Sequence, residues 1–355
     1  MKAVVYDAVG APPELREVPE PVCPGDGVVV EVAATGVCRS DWHAWRGHDP
    51  VPLPHIGGHE LAGRVVQVGA AIRRFAVGDR VTVPFVCGCG LCATCEAGDA
   101  QVCPDQTQPG FTGPGSFAER VALHAADYNL VTLPDALDFV TAASLGCRFA
   151  TAYRALTAHG RVGPGDWVSV YGCGGVGLSA VMIAGALGAR VVAVDVAPAA
   201  LALAAELGAE ATVDASTTVA AAAVHDVTGG GAQVSMDALG SSVTAVASVR
   251  SLRRRGRHVQ VGLLLGEQAH PPLPMDLVIG RELEIFGSHG MAAHEYPAML
   301  ALIESGALQP DRLVGSVIGL DVVPAALMAM DGPPSGPGIT VARLDWPAPK
   351  PAGSD

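Results

Sequence analysis

The chain has 355 residues, of which 50% are hydrophobic, and a net charge of −13 at pH 7. That length accommodates two domains of ordinary size, each with its own core. The acidic balance makes nucleic acid and anionic membranes poor partners. No apolar run approaches the ~20 residues that span a bilayer. The opening MKAVVYDAVG reads as strand-like alternation without a secretory leader, which predicts a cytoplasmic protein with reduced thiols.

Residues 1 to about 150 read as β-rich. Val-rich runs at 27–36, 62–70, 78–85 and 115–123 alternate with Gly/Pro turns. Many short strands without a long helix predict a barrel-like or folded-sheet domain. Cys38 lies in GVCRSDWHAW, and His59, followed by Glu60, lies in GGHELAG. The window CGLCATCEAGDAQVC then sets Cys89, Cys92, Cys95 and Cys103 at C-x2-C-x2-C-x7-C. Four thiolates at that spacing can converge on one tetrahedral cation. A closed four-sulfur shell suits zinc in a structural role, because it leaves no position for chemistry. A disulfide knot is the competing reading, and a chain without a leader disfavours it.

Cys147 stands in LGCRFATAYRAL, where the β-rich part ends. Two thiolates and one imidazole would leave a fourth zinc position open, as a catalytic ion requires. Spacing alone leaves open whether Cys38, His59 and Cys147 converge. Cys23 and Cys173 read as core thiols, and Cys87 as a spare thiol beside the pocket.

From Thr151 onward strand-like runs alternate with Ala/Leu-rich helical runs: 166–172, 175–189, 190–196 and 198–209. This is the β-α-β-α pattern of a doubly wound parallel sheet. Further strands are predicted within 233–239, 257–264 and 283–290. VSVYGCGGVGL follows the first of these strands and opens the first helix. Gly172 permits the tight turn, Gly174 lets a pyrophosphate approach the backbone, and Gly177 lets the helix pack on the strand. The helix N-terminus offers free N–H groups to phosphates. Asp195 closes the next strand, where a carboxylate accepts from ribose hydroxyls and repels a 2′-phosphate, favouring NAD over NADP. After about Ser288 the chain is expected to return to the first domain through the extended GITVARL. The tail PAPKPAGSD is expected to be mobile.

GVCRSDWHAWRG, GGHELAG, the four-cysteine window, LGCRFATAYRAL and YGCGGVG with Asp195, in that order, resemble the zinc-containing medium-chain alcohol dehydrogenases over nearly the whole chain. The resemblance implies an α/β fold. An N-terminal β-rich GroES-like catalytic domain would occupy 1–150, completed by 289–355. A Rossmann cofactor domain with a doubly wound parallel sheet would occupy 151–288.

The resemblance also implies two zinc ions per subunit. Cys38, His59 and Cys147 would hold the catalytic ion, and Cys89, Cys92, Cys95 and Cys103 the structural one. Asp41 would orient the imidazole ligand, and Glu60 would lie close behind the metal. NAD would be bound by Arg39, Gly172, Gly174, Gly175, Val176, Gly177, Asp195, Val261 and Leu263. Trp45, Phe85 and Phe111 would line the substrate pocket, with Leu263 nearby. Zinc would activate an alcohol for hydride transfer to NAD, while Ser40 and His43 relay the proton outward. Three positions depart from the family pattern. Ala200 replaces a lysine near the ribose, GITVARL lacks a second arginine for the pyrophosphate, and Arg148 follows Cys147. Arg148 reads either as a substitute phosphate contact or as a surface residue.

The expected activity is NAD-dependent interconversion of a primary or secondary alcohol with its aldehyde or ketone. A polyol or amino-alcohol dehydrogenase of the same fold is the alternative. A non-catalytic zinc- and nucleotide-binding interaction protein is a remoter one. The segments PMDLVIGRE and LEIFGSHG resemble a sheet edge that pairs subunits, implying a homodimer or homotetramer.

Overall fold

The structure is a computed structural model that describes residues 1–332 and 336–344. The proline-rich tail at 347–355 lies outside the described residues. Among the described residues no helix is long and apolar enough to cross a membrane.

The first part is built from β1 (Lys2–Val5), β2 (Glu14–Glu17), β3 (Val28–Val37), β4 (Leu61–Val68), β5 (Arg80–Thr82), β6 (Arg120–Leu123) and β7 (Val131–Thr132). The Val-rich β3 is buried along nearly its whole length, as suits β-branched side chains on a pleated surface. It pairs antiparallel with both β4 and β6. Register shifts at Val29/Val30 and Val32/Ala34 bend the β3–β4 pair. β3 ends at Val37, and Cys38 then caps helix α1 (Arg39–Trp45).

A parallel sheet follows, made of β8 (Trp167–Tyr171), β9 (Arg190–Asp195), β10 (Ala211–Asp214), β11 (Ala232–Asp237), β12 (Leu252–Gln260) and β13 (Glu284–Gly287). The spatial order β10-β9-β8-β11-β12-β13 is doubly wound, and it reverses direction between β8 and β11. In such sheets ligands bind outside the carboxyl ends of the strands at the reversal. β10 was not among the strands expected from sequence. The chain then returns: β14 (Val314–Ile318) pairs with β15 (Ile339–Arg343), and β15 pairs antiparallel with β3.

The expectation of no long helix before residue 150 is corrected. A helical run extends from Phe139 to His159, interrupted by a turn at Ser144, with π turns at Leu145–Phe149 and Ala155–His159. It was hidden because short apolar runs do not separate buried helix from strand. Leu145, Phe149 and Leu156 on this run are fully buried. They join Ala34, Ala62 and Val341 of the first sheet to Val168, Val191 and Val234 of the second in one core. Burying a side chain such as Phe149 contributes roughly 1.5–3 kcal/mol, so this run fixes one sheet against the other.

Candidate active site

The metal cavity is assembled from three places. Cys38 follows β3, His59 precedes β4, and Cys147 sits in the first π turn of the long helical run. Single π turns recur at functional sites because they re-aim side chains from a helix. The two Sγ atoms and a His59 ring nitrogen lie within 4.8 Å of one another. Asp41 accepts from His59 Nδ1 at 2.8 Å, from Cys38 N at 3.0 Å and from Gly58 N at 3.0 Å. One buried carboxylate thus fixes two ligand segments and the imidazole orientation. Gly58 has φ +92°, and a Cβ there would meet Phe117 N at 2.6 Å, so only glycine can deliver His59 to this place.

His59 Nε2 is buried without a hydrogen-bond partner. A buried polar atom left alone is costly, and two adjacent thiols with one free imidazole nitrogen are a zinc donor set with an open position. The cavity fits the ion. The Cys38 thiol is held well below the ordinary thiol value, first by a hydrogen bond from Cys147 and then by the positive charge of Arg148 and contact with His59. Burial opposes a charged His59, yet Asp41 and Cys38 raise it well above the ordinary imidazole value.

The four-cysteine window forms a separate site. Cys89 Sγ lies 4.0 Å from Cys95 Sγ, and Cys92 Sγ lies 3.7 Å from Cys103 Sγ. Bonds of ~2.3 Å to a tetrahedral zinc set sulfur–sulfur edges of about 3.8 Å, whereas a disulfide needs ~2.05 Å. All nine cysteines are free. Backbone N–H groups of Cys89, Leu91 and Cys95 each donate to a cluster sulfur at 3.4 Å. The Cys95 amide is the main cause that brings the Cys92 thiol down to about 7.

The cofactor residues share the carboxyl edge of the parallel sheet. Gly172 follows β8 with φ +91°, and a Cβ on Gly177 would meet Gly172 O at 1.8 Å. Both glycines are therefore obligatory for the strand–turn–helix junction. Gly174 has open space around it. Helix Gly175–Ala186 starts there and includes Val176. Asp195 ends β9 and accepts from Cys173 N at 2.5 Å, Val196 N at 2.7 Å and Ala197 N at 2.9 Å. Val261 and Leu263 follow β12. Asp237, at the end of β11, went unnoticed in the sequence. It accepts from Leu239 N, Gly240 N and Gln260 Nε2, and so organises the neighbouring loop. An acid closing a predicted strand before a Gly-Ser-Ser turn was the available signal.

Phe85 and Phe111 pack their rings on His59, with centroids 6.0 and 5.0 Å away. His289, also unnoticed, lies edge-on to Phe85 at 5.1 Å. Ser40 Oγ is 3.9 Å from Cys38 Sγ. His43 Nδ1 lies 3.0 Å from His48 Nδ1. Burial first, then His48 and Arg39, hold the His43 pKa below its ordinary value.

The other expected side chains have the following partners. Trp45 packs with Tyr6 and Leu327 and donates from Nε1 to Ala11 O at 2.6 Å. Its position two residues after His43 turns it about 200° around the helix. Arg39 donates to Met330 O at 2.6 Å and lies over Trp42. Arg148 is neither a surface residue nor a free phosphate contact. It is buried and ion-paired to Glu60. Burial opposes its charge, but Glu60 and Cys38 raise its pKa further above the arginine range. Cys87 is a core thiol that donates to Pro84 O at 3.5 Å, and burial pushes its pKa up to about 12. It borders a cavity of ≈ 400 Å³ lined also by Met1, Ile56, Gln108 and Arg120, which includes no residue of the metal triad.

A GroES-like first domain, a doubly wound parallel sheet and a two-thiol, one-imidazole cavity define the medium-chain dehydrogenase class. Comparison with known proteins narrows this. Residues 24–135 match the alcohol dehydrogenase GroES-like domain and 175–305 the zinc-binding dehydrogenase family. An alcohol dehydrogenase of Geobacillus stearothermophilus is 38% identical over 81% of this chain and 84% of its own length. D-arabitol-phosphate dehydrogenase of Enterococcus avium is 33% identical over 83% of this chain and 84% of its own. The solved alcohol dehydrogenase TADH from Thermus sp. ATN1 superimposes with a TM-score of 0.89 at 30% identity, covering 97% of this chain and 100% of that one. The chain belongs to the zinc-containing medium-chain alcohol dehydrogenase family and is an oxidoreductase of that family.

Proposed function

We propose that this chain interconverts an apolar primary or secondary alcohol with its aldehyde or ketone, using NAD. The carrying observation is the orphaned His59 Nε2 beside the Cys38 and Cys147 thiols. Cys38, His59 and Cys147 would hold zinc there, and the four-cysteine lobe would hold a second ion. When bound, zinc supplies Lewis acidity toward the alcohol oxygen and NAD accepts the hydride.

The chain's own residues do the rest. Asp41 keeps His59 Nε2 directed at the thiols. Phe85 and Phe111 flank the imidazole with apolar surface, which excludes water and favours apolar substrates. Ser40 would take the hydroxyl proton as a relay, since a hydroxyl is no strong base, releasing its own toward His43 by way of the cofactor ribose hydroxyl. His43 Nδ1 faces His48 Nδ1 at 3.0 Å, so the tautomer in which Nδ1 donates to His48 leaves Nε2 open to receive the proton. Its lowered pKa keeps the ring neutral and ready to accept near pH 7.

Asp195 with the Gly172–Gly177 turn supports dinucleotide binding at the strand ends, and the carboxylate favours a free ribose diol over a 2′-phosphate. We infer a cytoplasmic enzyme from its free thiols. The same reading makes the enzyme a homodimer or homotetramer joined at β13, the edge strand of its sheet.

The polyol reading is second, on the likeness to D-arabitol-phosphate dehydrogenase. Offering aliphatic, benzylic and polyhydroxy alcohols while following NADH absorbance separates the two. Apolar alcohols should react best, NAD should outperform NADP, and a chelator should abolish turnover. Preference for polyols would replace the substrate assignment, and equal rates with NADP would overturn the role of Asp195.

A further inference from the structure

Arg148 and Glu60 form an ion pair closed off from solvent, with side chains 9% and 0% exposed. Such a pair is poor evidence for stability, since two desolvated charges often do no better than apolar packing. Its contacts point to another role. The Arg148 backbone N–H and Nε each donate to Glu60 Oε1 at 3.1 Å, and Nη2 donates to Oε2. Nη1 donates to Val37 O at 3.3 Å.

Arg148 therefore reaches the residue before Cys38 and the residue after His59, while directly following Cys147. All three ligand segments meet on one guanidinium. Two glycines make room for it. A Cβ on Gly36 would lie 2.1 Å from Glu60 Oε2 and 2.8 Å from Arg148 Nη2. A Cβ on Gly175, in the phosphate turn, would lie 2.5 Å from Arg148 Cδ. Glu60 contributes no oxygen to the converging group of Cys38, His59 and Cys147.

We propose that Arg148 is a positioning residue that joins the three metal-ligand segments to the glycine-rich turn and holds the Glu60 carboxylate off the metal. The inference rests on the zinc- and NAD-binding reading above. Its consequence is mechanical: the metal site and the dinucleotide site are braced by one side chain, so loosening it disturbs both. Arg148→Met removes the charge and keeps the bulk. Glu60→Gln/Arg148→Met removes both charges and protects the fold from an uncompensated carboxylate.

The readouts are metal release to a chromophoric chelator, with the lobe ion counted separately, NAD affinity by fluorescence, melting temperature, and the visible spectrum of cobalt(II) in the triad. In Arg148→Met, triad metal should be released about 10–100-fold faster. NAD should bind several-fold more weakly, and the cobalt spectrum should move toward a higher coordination number as Glu60 is freed. In the double variant the melting temperature should recover while fast metal release and weak NAD binding persist. Wild-type metal release and NAD affinity in the double variant would overturn the proposal, leaving the pair a matter of stability alone. An unchanged cobalt spectrum in a folded Arg148→Met would overturn the restraint on Glu60. A wild-type chain that holds no metal in the triad would instead sink the dehydrogenase reading itself.

Discussion

The two candidate cation sites of this chain are built in opposite ways. The lobe draws all four sulfurs from the single stretch Cys89–Cys103 and steadies them with three backbone amides. The triad draws its ligands from Cys38, His59 and Cys147, and depends on Asp41, Glu60 and Arg148 to bring them together. Closing short loops costs little entropy, so the lobe can form wherever its own segment folds. The triad exists only when both sheets and the long helical run are in place. Local construction suits a site that stabilises, and dispersed construction suits one that must face a substrate and a cofactor at once.

Variants that separate the sites can break this contrast. The largest effect on turnover is expected for Cys38→Ser. Loss of Lewis-acid stabilisation worth several kcal/mol lowers kcat/KM by about 10³-fold or more. Metal analysis should then fall from two ions to one per chain, with the lobe ion retained; loss of both ions would show that the sites are not independent.

His43→Gln comes next, at about 10²-fold in alcohol oxidation. The His43 pKa lies below the ordinary imidazole value, so its neutral form persists to lower pH. The wild-type rate should rise with pH through a limb below about 6.5, and the variant should lose that limb while keeping its zinc. A limb that survives in the variant belongs to another group.

Asp41→Asn keeps the shape but weakens the acceptor on His59 Nδ1. Triad metal should exchange one to two orders of magnitude faster, about 10–100-fold, with the lobe untouched. Equal exchange from both sites would contradict the bracing role of Asp41.

The smallest effect on turnover is expected for Cys103→Ser. Measured on folded protein, kcat/KM should stay within a few-fold of wild type. A loss of about 2–3 kcal/mol should lower Tm by roughly 5–10 °C. A collapse of turnover without a change in Tm would mean that the lobe takes part in chemistry after all.

The same contrast explains what the sequence disclosed. The lobe is legible because its spacing is its geometry, and the Gly172–Gly177 turn because strand, turn and helix are consecutive. The triad could be drawn together only through family likeness, since nothing local ties residue 38 to 147. Arg148 was misread because its partner is 88 positions away and its amide points to Glu60 only from a π turn. His289 is invisible in sequence because its partner Phe85 lies far away in the chain, whereas Asp237 carried a local signal, its bonds to Leu239 N and Gly240 N, beside the distant Gln260.

The pairing of β15 with β3 carries a consequence for biogenesis. Thr340 sits opposite Val37, one residue before Cys38. On a ribosome, where chains emerge from the N-terminus onward, the Ala34–Val37 end of β3 must wait for its β15 partner until residues 339–343 appear. The four cysteines of the lobe have all emerged long before then. The stretch of β3 that leads into Cys38 is thus completed only after every other strand of its sheet has emerged.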